Sequence, residues 1–215
     1  MAFLEDQQFD AVVNGTLDIN LNGRDLHVLG DLLLYRAHAL YKLRKWQVSH
    51  ELFTQLANLF PGDNVIRTAV FQSSARMTEA RTGRYPFKQM QQEVSTLHSP
   101  RLNHATHFGS VAMQPTASHG IGVFTTKPVQ AGDLLLCVKA FSYAYPADDP
   151  DKKISILINA QANAITKGTP ASLVDETLHF LHKNPSLISM INGLDHGSYE
   201  SVGVSEVDGR PGVDP

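Results

Sequence analysis

The hydrophobic period of the chain changes near His98-Ser99-Pro100, and that change limits the folds open to it. Before it, Leu26, Leu29, Leu32, Leu33, Leu40 and Leu43, with Ala37 between them, recur at three- and four-residue steps, the spacing of one helical face. The run from Trp46 to Phe60 keeps that period and is closed by Pro61-Gly62-Asp63, residues that stop helices and form turns. A further helical pair is expected over about Asn64 to Thr82 and Tyr85 to Leu97, broken at Thr82-Gly83-Arg84. After the change, Phe108 to Gln114 alternates loosely, and Gly120 to Phe124 and Leu134 to Phe141 are short apolar or β-branched runs between turn residues. Helices followed by strands in separate stretches of sequence define an α+β class.

At 215 residues, 42% hydrophobic and 18% charged, the chain can bury a core of one large or two small domains. A formal net charge of -3 and a pI near 6.3 offer no basic field for direct nucleic-acid binding. Cys137 is the single cysteine, so an intrachain disulfide and a multi-cysteine zinc cluster are both excluded. Set in an apolar run, Cys137 reads as a small buried hydrophobe. The start, Met1-Ala2-Phe3-Leu4-Glu5-Asp6, has acids where a secretory signal carries bases, and no apolar stretch approaches the roughly 18 residues that span a bilayer. No membrane partner is expected, and a reducing cytoplasmic or nuclear setting fits. His179 and His182, three apart on an expected helix without a third ligand, read as surface residues and not as a metal site. Neither a Gly-x-Ser-x-Gly nor a phosphate-binding Gly-Lys-Ser loop occurs.

The helical region, residues 1–98, resembles a tetratricopeptide repeat. Ser49, Phe53 and Pro61 supply the small residue, the aromatic and the closing proline of the repeat's second helix, and Ala37 takes the small position of the first. Leu33, Arg36 and Leu40 stand where the repeat usually has Trp, Leu and Tyr. Trp46 and Phe53 are expected in the core. Two readings of this region stand side by side, a helical hairpin core and a groove that binds a protein or peptide. Because such repeats need about three copies or a neighbour to cover their open face, the helices are expected to pack on the segment after Ser99.

Residues 99–146 carry a second resemblance. From Ser118 to Cys137 the chain reads as two short strands joined by turns in a hairpin-like arrangement, with a glycine pair at Gly120 and Gly122 and a tight turn at Ala131-Gly132-Asp133. A Gly-x-Gly alone fits any turn needing close backbone approach. The order of parts says more: helical repeat, the lead-in His104-Ala105-Thr106-His107-Phe108-Gly109-Ser110-Val111, glycine strand, spacer, turn, then Leu134 to Phe141. That order resembles fungal proteins with tetratricopeptide-like helices ahead of a SET domain, a family of protein-lysine methyltransferases. The resemblance implies that His119, Gly120, Ile121 and Gly122 bind the methionine end of S-adenosylmethionine, largely through backbone groups. His119 would donate to the cofactor carboxylate, or else serve as a half-exposed turn histidine. Ile121 stands where the family often has Arg.

No residue is assigned a catalytic role. The family's Asn-His-x-Cys and tyrosine motifs have no match before Pro215. Asn103-His104 precedes the glycine strand and lacks the cysteine, Asn192 to His196 lacks the motif, and Tyr143, Tyr145 and Tyr199 lie out of place. The expectation is a SET domain cut within its catalytic half and inactive as this chain. Residues 147–200 read as a helical insert: Ala147-Asp148-Asp149-Pro150-Asp151 signals a helix start, and helices are expected over Ile154 to Lys167 and Leu173 to Lys183, separated by Gly168-Thr169-Pro170. Residues 201–215 read as a loose tail. The alternatives are an interaction module whose SET remnant only covers the helices, and a fragment prone to aggregate through open strand edges.

Overall fold

The computed structural model describes residues 7–16, 26–117, 120–146, 155–159, 163–192, 194, 206–207 and 210–211. It is a mixture of helices and small antiparallel strand pairs, in keeping with the α+β expectation. The chain divides into two compact units, residues 1–87 with 103–139 and residues 88–102 with 140–215.

In the first unit, α1 (Phe9–Gly15), α2 (Leu26–Lys42), α3 (Trp46–Leu59) and α4 (Asn64–Thr82) pack as successive neighbours, and the short turns joining α2 to α3 and α3 to α4 make those pairs antiparallel. Their core is Ala37, Tyr41, Phe53, Leu56, Ile66 and Ala69, with Leu33, Trp46, Leu52 and Phe60 packed against it. The small residues at Ala37 and Ser49, both fully buried, let α2 and α3 approach closely. The Ser49 hydroxyl removes its own burial cost by donating to the Ala37 carbonyl at 2.8 Å. Phe53 and Trp46 take the core positions expected of them, Phe53 at 1% exposure and Trp46 edge-on to Tyr41. Asp63 caps α4, its Oδ1 accepting from Val65 N–H at 2.7 Å and Ile66 N–H at 3.2 Å. Gly83 ends it with φ 66°, the left-handed cap that glycine adopts at little cost.

Among the described residues, four strands complete this unit: β1 (His107–Phe108), β2 (Val111–Pro115), β3 (Ile121–Thr125) and β4 (Leu136–Cys137). The expected hairpin between the glycine strand and its successor is not what forms. β3 pairs with the lead-in strand β2, and β4 pairs with β1. The apolar run from Leu134 to Phe141 contributes only Leu136–Cys137 as strand, since its partner β1 is only two residues long before Gly109. The turn at Ala131-Gly132-Asp133 forms as expected, with Gly132 at φ 98° and the Asp133 carboxylate accepting from Gln130 N–H at 2.8 Å.

The second unit holds α5 (Phe87–Thr96) from Lys88 onward, β5 (Ile156–Asn159), β6 (Ala164–Lys167), α6 (Thr169–Lys183), a 3-10 turn at Pro185–Leu187, α7 (Ile188–Asn192), β7 (Glu206–Val207) and β8 (Arg210–Pro211). The helix expected over Ile154 to Lys167 is instead the antiparallel hairpin β5–β6. Its β-branched side chains alternate, Ile156 and Ile158 opposite Lys167 and Ile165, and Asn163 bends the chain with φ 47° in the left-handed region. Helix α6 starts at Thr169, four residues before the expected start at Leu173, because Pro170 in the first turn has no N–H to leave unpaired. Ser172 donates to the Ser155 hydroxyl at 3.1 Å, joining α6 to the hairpin. The helix-start signal at 147–151 lies outside the described residues, as does most of the tail apart from the short β7–β8 ladder. No helix among the described residues is long and apolar enough to cross a membrane.

Phe53→Ala is expected to lower the unfolding free energy by about 3–5 kcal/mol, the range for truncating a large core aromatic. Urea denaturation followed by circular dichroism measures it, and a loss below about 1 kcal/mol would mean that α2, α3 and α4 do not share this core.

Candidate functional site

The expected cofactor residues fall on the β2–β3 hairpin. Gly120, Ile121 and Gly122 lie at its turn and at the start of β3, while His119 lies outside the described residues. The register pairs Ile121 with Pro115, Gly122 with Gln114, Val123 with Met113, Phe124 with Ala112 and Thr125 with Val111. Gly120 has φ 68°, and its carbonyl accepts from both Thr116 N–H at 2.7 Å and the Thr116 hydroxyl at 2.9 Å. At the other end Thr126 N–H donates to Ser110 O at 2.9 Å. These two bonds set the phase of the ladder. Gly120, Gly122 and Phe124 turn their backbone polar groups toward β2, so Ile121 and Val123 turn theirs to the outer edge of β3. Among the described residues nothing pairs with that edge.

Gly122 is small for a local reason. A Cβ placed there would meet the Phe124 ring at 2.8 Å and the Thr116 Cγ2 at 3.1 Å. The ring two residues on folds back over the glycine on the same face of the strand. The opposite face of the hairpin is apolar and open: Met113, Ile121 and Val123 are 72%, 62% and 57% exposed. A ligand approaching Gly120–Gly122 therefore finds free backbone groups along the edge, at Ile121 and Val123, and a filled face over Gly122.

The hairpin stands on a polar joint between α4 and the lead-in. Glu79, 4% exposed, accepts from Arg76 Nη2–H at 2.7 Å and His104 Nδ1–H at 2.7 Å through Oε1, and from Ala105 N–H at 2.9 Å through Oε2. The carboxylate only accepts, so the His104 proton is on Nδ1. The Tyr41 hydroxyl donates to Asn103 Oδ1 at 3.1 Å, the Tyr85 hydroxyl donates to Ala105 O at 2.7 Å, and His107 Nδ1–H donates to Ala80 O at 2.9 Å. The His107 ring also covers Gly83, where a Cβ would sit 2.6 Å from it. Asn103-His104, set aside by sequence reasoning as a false match to a catalytic motif, is thus a structural pair. Its signal was a buried carboxylate one helix away, which no local motif records.

Charge around the joint is uneven. Lys139, half-buried just after β4, has its amine lowered to about 8, first by burial and then by the positive charges of Arg44, Lys42 and Arg76. Burial raises the hydroxyls of Tyr41 and Tyr85, that of Tyr85 further through Cys137 and Glu79. Cys137 faces His107 across the β1–β4 ladder and is half-buried. In the other unit, His179 is on the surface, its Nδ1–H donating to Asp175 O at 2.9 Å. No group of three or more His, Cys, Asp or Glu side chains among the described residues is arranged to hold a metal ion.

Two outcomes follow. Between about pH 8 and the unfolded lysine value of 10.5, the unfolded chain holds a proton on Lys139 that the folded chain has lost, so stability rises with pH through that window. Lys139→Met should flatten the rise, read from urea midpoints at pH 8, 9 and 10; an unchanged slope would place its origin elsewhere. On the hairpin, the Phe124 ring should shift the Gly122 Hα and Thr116 methyl resonances upfield, and Gly122→Ala should return the Thr116 methyl toward its random-coil position as the ring is displaced. An unshifted methyl in the unsubstituted chain would contradict the stacking.

No family model matches the chain, and no solved structure matches it. The chain is 34% identical over 183 residues to a protein of Gibberella zeae named "Methyltransferase", in an alignment that covers 85% of this chain and 25% of that protein. The chain thus spans about a quarter of the length of the curated relative. Since 215 less 183 leaves 32 residues outside the match, the matched stretch includes the joint and the β2–β3 hairpin wherever it begins. The chain is related to a protein that carries a methyltransferase name, over both its helical and its strand segments.

Proposed function

We propose that the chain is the helical and cofactor-side part of a SET-class protein-lysine methyltransferase, and that the β2–β3 hairpin contacts the methionine end of S-adenosylmethionine. The observation that carries this reading is the methyltransferase relative, whose match runs through the glycine hairpin. Bound S-adenosylmethionine would supply an activated methyl group. The residues of this chain bind and orient: His119, Gly120, Ile121 and Gly122 are the contact segment, with the outward N–H and C=O groups of Ile121 and Val123 suited to the cofactor's carboxylate and ammonium. No residue of this chain is assigned to lysine attack or proton removal, and a cytoplasmic or nuclear setting goes with this reading.

A second reading, a tetratricopeptide-like module that binds a protein or peptide, is favoured by exposed apolar side chains on the helices. Val48 and Leu59 on α3 are 46% and 48% exposed, and Val65 and Phe71 on α4 are 64% and 75% exposed. Core packing does not use them.

Titration calorimetry with S-adenosylmethionine separates the two. Weak, saturable binding that is displaced by S-adenosylhomocysteine and lost in Gly122→Val supports the cofactor site, since the larger side chain must displace Phe124 and distort the strand. Absence of binding rejects the cofactor site and leaves the peptide-binding module as the better account.

A further inference from the structure

We propose that Glu79 is a positioning residue for the glycine hairpin: from within the helical layer, its buried carboxylate sets the direction in which β2–β3 is presented. The inference deepens the cofactor reading and rests on it for its functional meaning, but its geometry stands apart.

No side chain of β2 or β3 is buried, so the hairpin has little side-chain packing of its own to hold it. A two-stranded ribbon of this kind is marginal alone. What holds it is its base. Ser110 and Thr126 close the ladder by a 2.9 Å bond, and Gly109 N–H donates to Leu135 O at 2.9 Å. Just before them β1 is paired with β4. The segment leading into β1 is fixed at His104 and Ala105, and Glu79 holds both, one through each carboxylate oxygen. Arg76, on the same helix, holds the carboxylate in place through a 2.7 Å contact to Oε1. Tyr85 holds the other side of residue 105, so the Ala105 peptide is gripped at its N–H and its C=O from two points on the helical side. Gly109 leaves no slack, since a Cβ there would lie 2.8 Å from Leu134 O. A shift of the 104–105 segment would therefore reach the hairpin as a change of direction, with its ladder intact.

The test uses spin labels on the full chain in a Cys137→Ala background, at Gln55→Cys on α3 and Gln114→Cys on β2, with a control pair at Gln55→Cys and Gln72→Cys on α3 and α4. Electron–electron distance distributions should be narrow for both pairs. Glu79→Ala should broaden the hairpin distribution at least twofold and leave the helix pair unchanged, with Glu79→Gln, which still accepts from Ala105 N–H, recovering much of the narrow distribution. His104→Ala, which leaves the Arg76–Glu79 pair in place, should broaden it less and serves if Glu79→Ala does not fold. An unchanged hairpin distribution in the folded variants overturns the proposal, and so does equal broadening of the control pair, which would make Glu79 a determinant of general stability. S-adenosylmethionine affinity measured on the same variants is expected to fall at least threefold in Glu79→Ala. If the unsubstituted chain does not bind the cofactor, the cofactor reading fails while the distance measurement still decides the role of Glu79.

Discussion

The way the strand segment of the first unit is seated on its helices depends on one buried carboxylate. A carboxylate taken out of water is costly unless its lone pairs are met, and Glu79 meets them with a guanidinium, an imidazole N–H and a backbone N–H. Removing one partner of such a group typically costs about 3–5 kcal/mol, because the remaining charge stays buried. The same arrangement contributes little net stability compared with an apolar replacement. Its value lies in direction, since three donors at fixed distances allow one seating of the 104–105 segment against α4, whereas an apolar contact would tolerate several.

The helices make that seating possible by ordinary packing. Ala37 and Ser49 bring α2 and α3 together, Phe53 fills the space between them, and Asp63 and Gly83 fix where α4 begins and ends. Gly83 matters twice, because the left-handed cap that stops the helix also leaves room for the His107 ring. The end of a helix and the first residue of a strand are thereby placed by one glycine.

Much of this was legible in the sequence, and what was not has physical reasons. The 3.6-residue period located α2, α3 and α4, and turn residues located their ends, since burial on one helical face leaves a local trace. The small positions at Ala37 and Ser49 and the core role of Phe53 were readable for the same reason. Strand pairing was not. The glycine strand has two neighbours in sequence, and nothing local says that β3 joins the lead-in and β4 joins β1. The stretch around Ile156 and Ile165 was read as helix because short apolar runs have no distinct period, and only the turn at Asn163 resolves it. At the candidate site the glycine pair was visible, but the phase of the ladder, which makes Ile121 the residue with open backbone groups, depends on bonds at both ends of the hairpin. The burial of Glu79 left no trace: a charged residue in a helix, with Arg76 three residues before it, is expected on the surface, and its two partners outside the helix lie 25 and 26 residues away.

The placement of Cys137 carries a consequence of another kind. As the single thiol of these 215 residues, set opposite His107 and beside Tyr85 at the joint, it is a built-in clock for the opening of that joint. Half-buried where it stands, the thiol would be alkylated faster whenever β4 leaves β1, so a change in its alkylation rate in the otherwise unmodified chain tracks a change in how often the joint opens.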